Sequence, residues 1–101
     1  MTDSFLDICD ECGSDLSSRV CARELRAEIL QDVASGHRVV LDFGDVRTLS
    51  ESFADELLAV LVATKGESWF RENIEIVNLD EENWLTILEA IQNRLDSGLA
   101  V

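Results

Sequence analysis

Apolar residues recur every four positions between Ser18 and Ala34, which is the spacing of a helix with one buried face. Ser17 or Ser18 can cap the start of this helix, and Ser35-Gly36 can end it. The segment therefore predicts a first long helix, whose buried stripe comprises Cys21, Leu25, Ile29 and Val33.

Three shorter segments have the pattern of β-strands. Val39–Phe43 is almost wholly apolar, which suits a strand covered on both faces. Ile74–Asn78 and Ser4–Ile8 alternate apolar with polar residues, as half-buried strands do. The polar stretch Asp10–Ser17 holds Gly13 and is typical of a loop.

A second helix is predicted to begin at Ser52, because Ser52 and Asp55 fit the S-x-x-D form of a capping box. Its apolar residues continue to about Thr64, and Gly66 ends it. Glu67–Glu72 then predicts a short helical turn whose two aromatic residues point inward, namely Trp69 and Phe70.

A third helix is predicted over Glu81–Leu95, where apolar residues again recur at helical spacing. We expect its tryptophan to be a core residue, like that of the preceding turn, because large aromatic side chains are more often buried than exposed. The predicted buried stripe consists of Trp84, Leu88, Ile91 and Leu95.

Strands and helices alternate along the whole chain, which predicts right-handed crossovers and a largely parallel sheet. We expect three or four short strands with three main helices packed on them. The 101 residues suffice for one hydrophobic core, so residues 1–101 are interpreted as a single α/β domain.

The charge of the chain narrows the classes of partner. A net charge of −13 disfavours nucleic acid and anionic membranes, whose binding proteins need basic patches. Lys65 is the only lysine, and an acidic, lysine-poor surface also suits a salt-rich cell, so we hold a halophilic source as a hypothesis. Stability that does not depend on salt would contradict it.

We expect a cytoplasmic protein, since no apolar stretch approaches bilayer length and the first residues are not signal-like.

The three cysteines have two interpretations. Their odd number and the expected reducing compartment argue against a disulfide framework and favour small, partly buried thiols. The spacing of the first two is also that of zinc ligands, so a less favoured alternative is a zinc site with the ligands Cys9, Cys12, Cys21 and His37. No cofactor is expected.

Polar residues gather where the predicted strands end, at the edge of a parallel sheet that usually binds ligands and partners. We expect Arg19 to pair there with a carboxylate, such as that of Asp42 or Asp45, and the alternative is that it binds an anion. Asp55 and Glu56 are expected to favour the dipole of their helix and to face solvent or Arg47. The predicted interaction edge comprises Ser18, Arg19, Asp45, Arg47, Asp55 and Asn78, together with Ser50, Glu51 and Ser52.

The motifs of common catalytic sites are missing from the sequence. It contains neither a glycine-rich phosphate loop, nor a nucleophile elbow, nor a metalloprotease helix. Asp55 and Glu56 could form an acid pair, but adjacent helical residues point in different directions and no histidine is near them. We therefore expect a protein that is not an enzyme.

The run VVLDFGDVRTLSESFADELLAVL, preceded by LSSR and followed by IEIVNL, resembles the prokaryotic STAS-like domain family of unknown function. The most specific parts are the LDF strand at Leu41–Phe43 and the SFADEL helix start at Ser52–Leu57. Ser18-Arg19 and Asn78 add weaker support. The resemblance extends over nearly the whole chain and implies a small α/β binding module related to anti-sigma factor antagonists.

In those antagonists a serine at the start of the helix after the central strand is phosphorylated by a histidine-kinase-type ATPase, which switches partners. The resemblance places Ser50 where they have aspartate, Glu51 where they have that serine, and Phe53 where they have glycine. Glu51 carries a fixed charge that no kinase can switch. Its neighbours Ser50 and Ser52 remain candidates for phosphorylation.

The resemblance therefore implies a regulatory module that binds another protein, such as a histidine-kinase-type ATPase or a sigma or anti-sigma-type regulator. The alternative is a domain that binds a nucleotide or another small anion at the amino terminus of the helix starting at Ser52. The acidic surface is compatible with a monomer or a weak homodimer.

Overall fold

A computed structural model describes residues 2–99 and gives the architecture that the sequence predicts. The elements follow in the order β1 (Asp3–Asp7), α1 (Ile8–Cys12), β2 (Asp15–Leu16), α2 (Arg19–Ala34), β3 (Arg38–Asp42), β4 (Thr48–Leu49), α3 (Glu51–Ala54), a π-helical segment (Asp55–Ala59), α4 (Val60–Lys65), α5 (Glu67–Asn73), β5 (Ile74–Val77) and α6 (Glu81–Leu99).

The main sheet has three parallel strands in the order β1-β3-β5, so the most apolar strand lies at its centre. Leu41 of β3 pairs with Leu6 of β1 and Ile76 of β5. Leu6 and Leu41 belong to the hydrophobic core. Val40, whose side chain points to the opposite face of the sheet, is also buried, as expected for a strand covered on both faces. The predicted short parallel sheet is confirmed.

The segment after β1 is more structured than the predicted loop. Asp7 accepts a hydrogen bond from the Asp10 backbone N–H at 3.0 Å and caps α1, which ends at Gly13. Asp15 then pairs with Thr48 in a separate two-residue parallel ladder between β2 and β4. Helices and strands this short complete no period of their own, so the hydrophobic pattern does not mark them.

Helix α2 confirms the first helical prediction. The Ser18 hydroxyl accepts a hydrogen bond from the Cys21 backbone N–H at 3.1 Å and caps the helix. Leu25 and Ile29 are buried, whereas Cys21 and Val33 are half-buried at the ends of the stripe. One face of α2 therefore packs on the core.

The second helix begins one residue earlier than predicted, at Glu51, and continues from α3 through the π-helical segment into α4 without a break. Its cap is Ser50, whose hydroxyl accepts a hydrogen bond from the Phe53 backbone N–H at 3.1 Å. The prediction that Ser52 caps this helix is wrong, because the hydroxyl of Ser50 is the one that accepts from the third helical N–H.

Helix α6 presents a different face to the core than predicted. Among residues 81–97, its buried residues are Asn83, Ile87 and Ala90. Of the predicted stripe, Ile91 is half-buried and packs against the core, whereas Trp84 is 41% exposed and Leu88 is 53% exposed. The prediction that Trp84 is a core residue is wrong. Trp69 and Phe70 of α5 are half-buried and pack against the core, as expected.

Two of the cysteines form a disulfide, which contradicts the expectation of free thiols. Cys12 at the end of α1 is bonded to Cys21 in the first turn of α2, and their Cα atoms lie 6.1 Å apart. Cys9 is a free cysteine. An odd number of cysteines leaves one unpaired, but it does not prevent the other two from pairing when the fold brings them together.

Candidate functional site

An open cleft of about 350 Å³ lies beside the start of α3, between α2 and α6. It combines residues from three parts of the chain that are far apart in sequence. Its lining residues are Arg19, Glu51, Ser52, Asp55, Ala90, Asn93, Arg94 and Ser97. Four of the predicted interaction residues therefore meet there, namely Arg19, Glu51, Ser52 and Asp55.

Asp55 forms the strongest ion pair of this cleft. The Arg94 guanidinium donates two parallel hydrogen bonds to the Asp55 carboxylate, at 2.9 Å from Nε and 2.5 Å from Nη2. Arg19 Nη1 lies 3.7 Å from the same carboxylate. The hydrogen bonds from Arg94 hold the pKa of Asp55 below its ordinary value. Asp55 therefore fastens α6 to the start of the π-helical segment.

Glu56, the next residue, holds arginines of α2. Arg26 Nη1 lies 2.8 Å from Glu56 Oε2 and also donates to the Glu56 backbone carbonyl. Arg19 Nη1 and Arg23 Nε lie 3.3 and 3.9 Å from the same carboxylate. The hydrogen bond from Arg26 lowers the pKa of Glu56. Glu56 thus fastens α2 to the π-helical segment.

The two carboxylates form an ionic cluster that holds half of the chain's basic residues, since Arg19, Arg23, Arg26 and Arg94 are four of eight. Adjacent helical residues point in different directions, so Asp55 reaches towards α6 and Glu56 towards α2. A π-helical turn is rare and is often found at functional sites. Asp55, the first residue of this segment, is its one residue that lines the cleft.

These pairings correct two predictions from the sequence. Arg19 pairs with Asp55 and Glu56, not with Asp42 or Asp45. Asp55 and Glu56 do not contact Arg47, which instead pairs with Asp15 at 2.9 Å. The predictions failed because the register between helices decides which charges meet, and hydrophobic periodicity does not specify that register.

The two serines at the start of α3 have different environments. The Ser50 hydroxyl caps the helix, and it lies 3.0 Å from the Ser52 hydroxyl. Ser52 is half-buried and lines the cleft. Glu51 points to α6, where Asn93 Nδ2 donates to its carboxylate at 2.6 Å. Ser52 is therefore the serine that faces the arginines of the cleft.

The remaining predicted edge residues lie outside the lining of this cleft. Asn78 has a left-handed backbone (φ 58°) and donates to the Asp42 carboxylate at 2.9 Å, which lowers the pKa of Asp42. Asp45 is also left-handed (φ 68°), in the turn after β3. These contacts stabilise turns at the carboxyl ends of β3 and β5.

The alternative zinc site is not formed. Cys12 and Cys21 are bonded to each other, so neither offers a thiolate to a metal. His37 Nδ1 lies 2.8 Å from the Thr2 hydroxyl, near the start of β3. Within residues 2–99, the side chains form no group of three or more histidine, cysteine or acidic residues suited to holding a metal ion.

Sequence reasoning missed several members of the site, among them Arg26, Asn93 and Arg94. Because acidic residues far outnumber basic ones in this chain, the arginines could have been expected to pair with acids. Which acids they pair with depends on contacts between helices that are about 30 to 40 residues apart in sequence.

The short parallel sheet and the helices packed on it define a small α/β domain of the STAS-like kind. The model of the family described as a STAS-like domain of unknown function (DUF4325) matches residues 22–84, which is more than half of the chain, and the chain belongs to this family. The predicted resemblance is confirmed. No curated protein and no solved structure matches the chain. Among residues 2–99, the helices lack the combination of length and apolar character needed to cross a bilayer.

The cap assignment gives a prediction that separates the two serines. Ser50→Ala should lower the free energy of unfolding by about 1 kcal/mol, because it removes the acceptor for the Phe53 N–H. Ser52→Ala should lower it by less, about 0.5 kcal/mol, because it removes only the bond between the two hydroxyls and leaves the cap in place. Urea denaturation followed by circular dichroism measures both. A larger loss for Ser52→Ala would reverse the assignment.

Proposed function

We propose that this protein is a non-enzymatic regulatory module that binds another protein at the cleft beside α3, and that phosphorylation of Ser52 switches the interaction. The observation that carries the proposal is that Ser52 shares this cleft with Arg19 and Arg94. Membership of a STAS-like family supports a binding role. The relation of such domains to anti-sigma factor antagonists supports a histidine-kinase-type ATPase or a sigma or anti-sigma-type regulator as the partner.

The ionic cluster supplies a mechanism for the switch. A phosphate on Ser52 would add a charge of about −1.5 to −2 next to Asp55 and Glu51. It would repel both carboxylates and compete with Asp55 for the guanidinium of Arg94. Because Arg94 belongs to α6 and Asp55 to the π-helical segment, exchange of partners would loosen one helix from the other and change the surface offered to the partner.

Ser52 is the better candidate for modification than Ser50. The Ser50 hydroxyl already accepts the hydrogen bond that caps α3. Ser52 makes no capping bond, and its side chain lines the open cleft. Glu51, beside it, carries a permanent negative charge. The start of α3 therefore has one fixed negative charge and one residue that phosphorylation could make negative.

The test captures the partner from the native cell extract at the salt concentration of that cell and then measures its affinity with purified proteins. We expect Ser52→Ala to bind like the unmodified protein and Ser52→Glu to bind at least about tenfold more weakly, a loss of about 1.4 kcal/mol. Ser68→Glu, on the exposed surface of α5, is the matched control. Equal affinity of Ser52→Glu and Ser68→Glu would refute the switch, and failure to capture any partner would refute the interaction.

The same cleft favours a second candidate function, the binding of a nucleotide or another small anion. Its volume of about 350 Å³ falls within the range of small-ligand sites, and two arginines line it. An anion would have to displace the Asp55 carboxylate from Arg94, which weighs against this candidate. Thermal stabilisation by ATP or GTP that Arg94→Ala abolishes would favour it, and the lack of any shift would exclude it.

A further inference from the structure

A second surface of α6, away from the cleft, forms an apolar groove with α4, α5 and β5. The groove has a volume of about 360 Å³. Its apolar walls include Val62, Phe70, Ile76, Trp84, Leu88 and Leu95. The α6 residues among them repeat at intervals of four and seven, so they form one stripe along the helix.

The large apolar side chains of this stripe are more exposed to water than such side chains usually are. Trp84 and Leu88 are 41% and 53% exposed, and Leu95 is 37% exposed. Leu85, which lies 58% exposed beside Leu88, extends the apolar surface beyond the groove. Contiguous exposed apolar surface of this kind is typical of a binding site, whereas isolated exposed apolar residues are not. The sequence pattern predicted that this same stripe is buried. A bound partner would bury it.

The helix that forms one wall of the groove is acidic, and its Glu89 lies next to Leu85 and Leu88. Helix α6 carries Glu81, Glu82, Glu89 and Asp96. Its single basic residue, Arg94, is bonded to Asp55 in the cleft on the other flank. Arg71 also lines the groove, but its charge is paired with Glu67 on the same helix. An incoming cation would therefore be attracted by several acids of α6 without facing an unpaired base on that helix.

These charges disfavour a second copy of the chain as the occupant, because a symmetric contact would bring the acids of both α6 helices together. An added β-strand is disfavoured as well. Although β5 is an edge strand, it has only four residues, and one of them is the charged Glu75, which pairs with Arg38. Short, charged edge strands resist further pairing.

We propose that the groove binds an amphipathic helix of a partner protein whose apolar face is flanked by lysine or arginine. A helix lying in an apolar groove places residues i, i+3 or i+4 and i+7 into it, and flanking cations would meet the acids of α6. This proposal rests on the proposed function only in that the ligand is a protein. It concerns a different surface, since Trp84 and Leu88 lie in the groove and Ser52 lies in the cleft.

The test uses two synthetic helical peptides of about 18 residues with leucine at the groove-facing positions, one flanked by lysine and one by glutamate. We expect the lysine peptide to bind with a Kd of about 1–100 μM and the glutamate peptide at least about tenfold more weakly. Leu88→Asp should weaken the lysine peptide at least about tenfold. Val20→Asp is the matched control, because Val20 is also an exposed apolar residue of a helix (58% exposed).

Circular dichroism confirms that each variant is folded before binding is measured. Equal binding of the two peptides, no binding of either, or no effect of Leu88→Asp would overturn the inference. So would a dimer in sedimentation analysis that Leu88→Asp dissociates, because the groove would then be occupied by a second copy. Ser52→Glu should leave peptide binding unchanged, so that the groove and the cleft succeed or fail separately.

Discussion

Replacing Cys12 with serine should lower the free energy of unfolding by about 2–3 kcal/mol, which is a large fraction of the stability of a domain of this size. The bond between Cys12 and Cys21 closes a loop with a sequence separation of nine residues and ties α1 to the first turn of α2. A closed loop of this length restricts the unfolded chain, and loss of the restriction favours unfolding. Urea denaturation of the oxidised protein and of Cys12→Ser measures the difference.

Cys9→Ser is the control for this prediction, since Cys9 is a free cysteine on the same short helix. It should leave the stability within about 0.5 kcal/mol of the unmodified protein. Treatment with a reducing agent should bring the unmodified protein to the stability of Cys12→Ser and should not alter Cys12→Ser itself. Equal denaturation midpoints with and without reductant would show that the bond contributes nothing.

The disulfide also illustrates what the sequence could not decide. Counting cysteines and assuming a compartment predicted free thiols, but pairing depends on the distance between Cα atoms, here 6.1 Å. That distance arises because α1, which the pattern did not predict, turns the chain back towards the start of α2. Neither the number of cysteines nor the compartment carries information on this distance.

The long elements were predictable because their apolar residues complete several periods. Helix α2 and strand β3 lie within one residue of the predicted bounds. Helix α6 was predicted at the right place but with the wrong face inward. Its sequence carries two neighbouring stripes, and the face with Asn83, Ile87 and Ala90 packs on the core and contacts the π-helical segment.

The site was predictable in part. The sequence placed Arg19, Glu51, Ser52 and Asp55 on one edge, and they line one cleft. It did not predict their partners on α6, because the contact between α3 and α6 joins segments about 40 residues apart. Serine at position 52 fitted a cap motif, yet the neighbouring Ser50 also fits the rule, and only the backbone decides between them.

Replacing Glu56 with glutamine should lower the free energy of unfolding at pH 7 by about 1.5–3 kcal/mol, the usual worth of hydrogen bonds to a charged group. Glutamine keeps the shape of the side chain but removes the charge that faces Arg19, Arg23 and Arg26. The Glu56 and Arg26 side chains are only 18% and 19% exposed, so water replaces the lost partner poorly. Glu24→Gln, an exposed residue of α2, is the control and should have little effect.

The loss of stability caused by Glu56→Gln should become smaller at acidic pH. Arg26 lowers the pKa of Glu56 in the folded protein, so the ionised carboxylate stabilises the fold above the unfolded pKa of about 4.3. This contribution is lost as the pH falls through the lower folded pKa. The difference in unfolding free energy between the two proteins should therefore be constant near pH 7 and should shrink below about pH 4. Taking the difference removes the general effect of protonating the other acids, which relieves repulsion in a chain of net charge −13. A difference that is already zero at pH 7 would mean that the ionic cluster does not hold α2 to the π-helical segment.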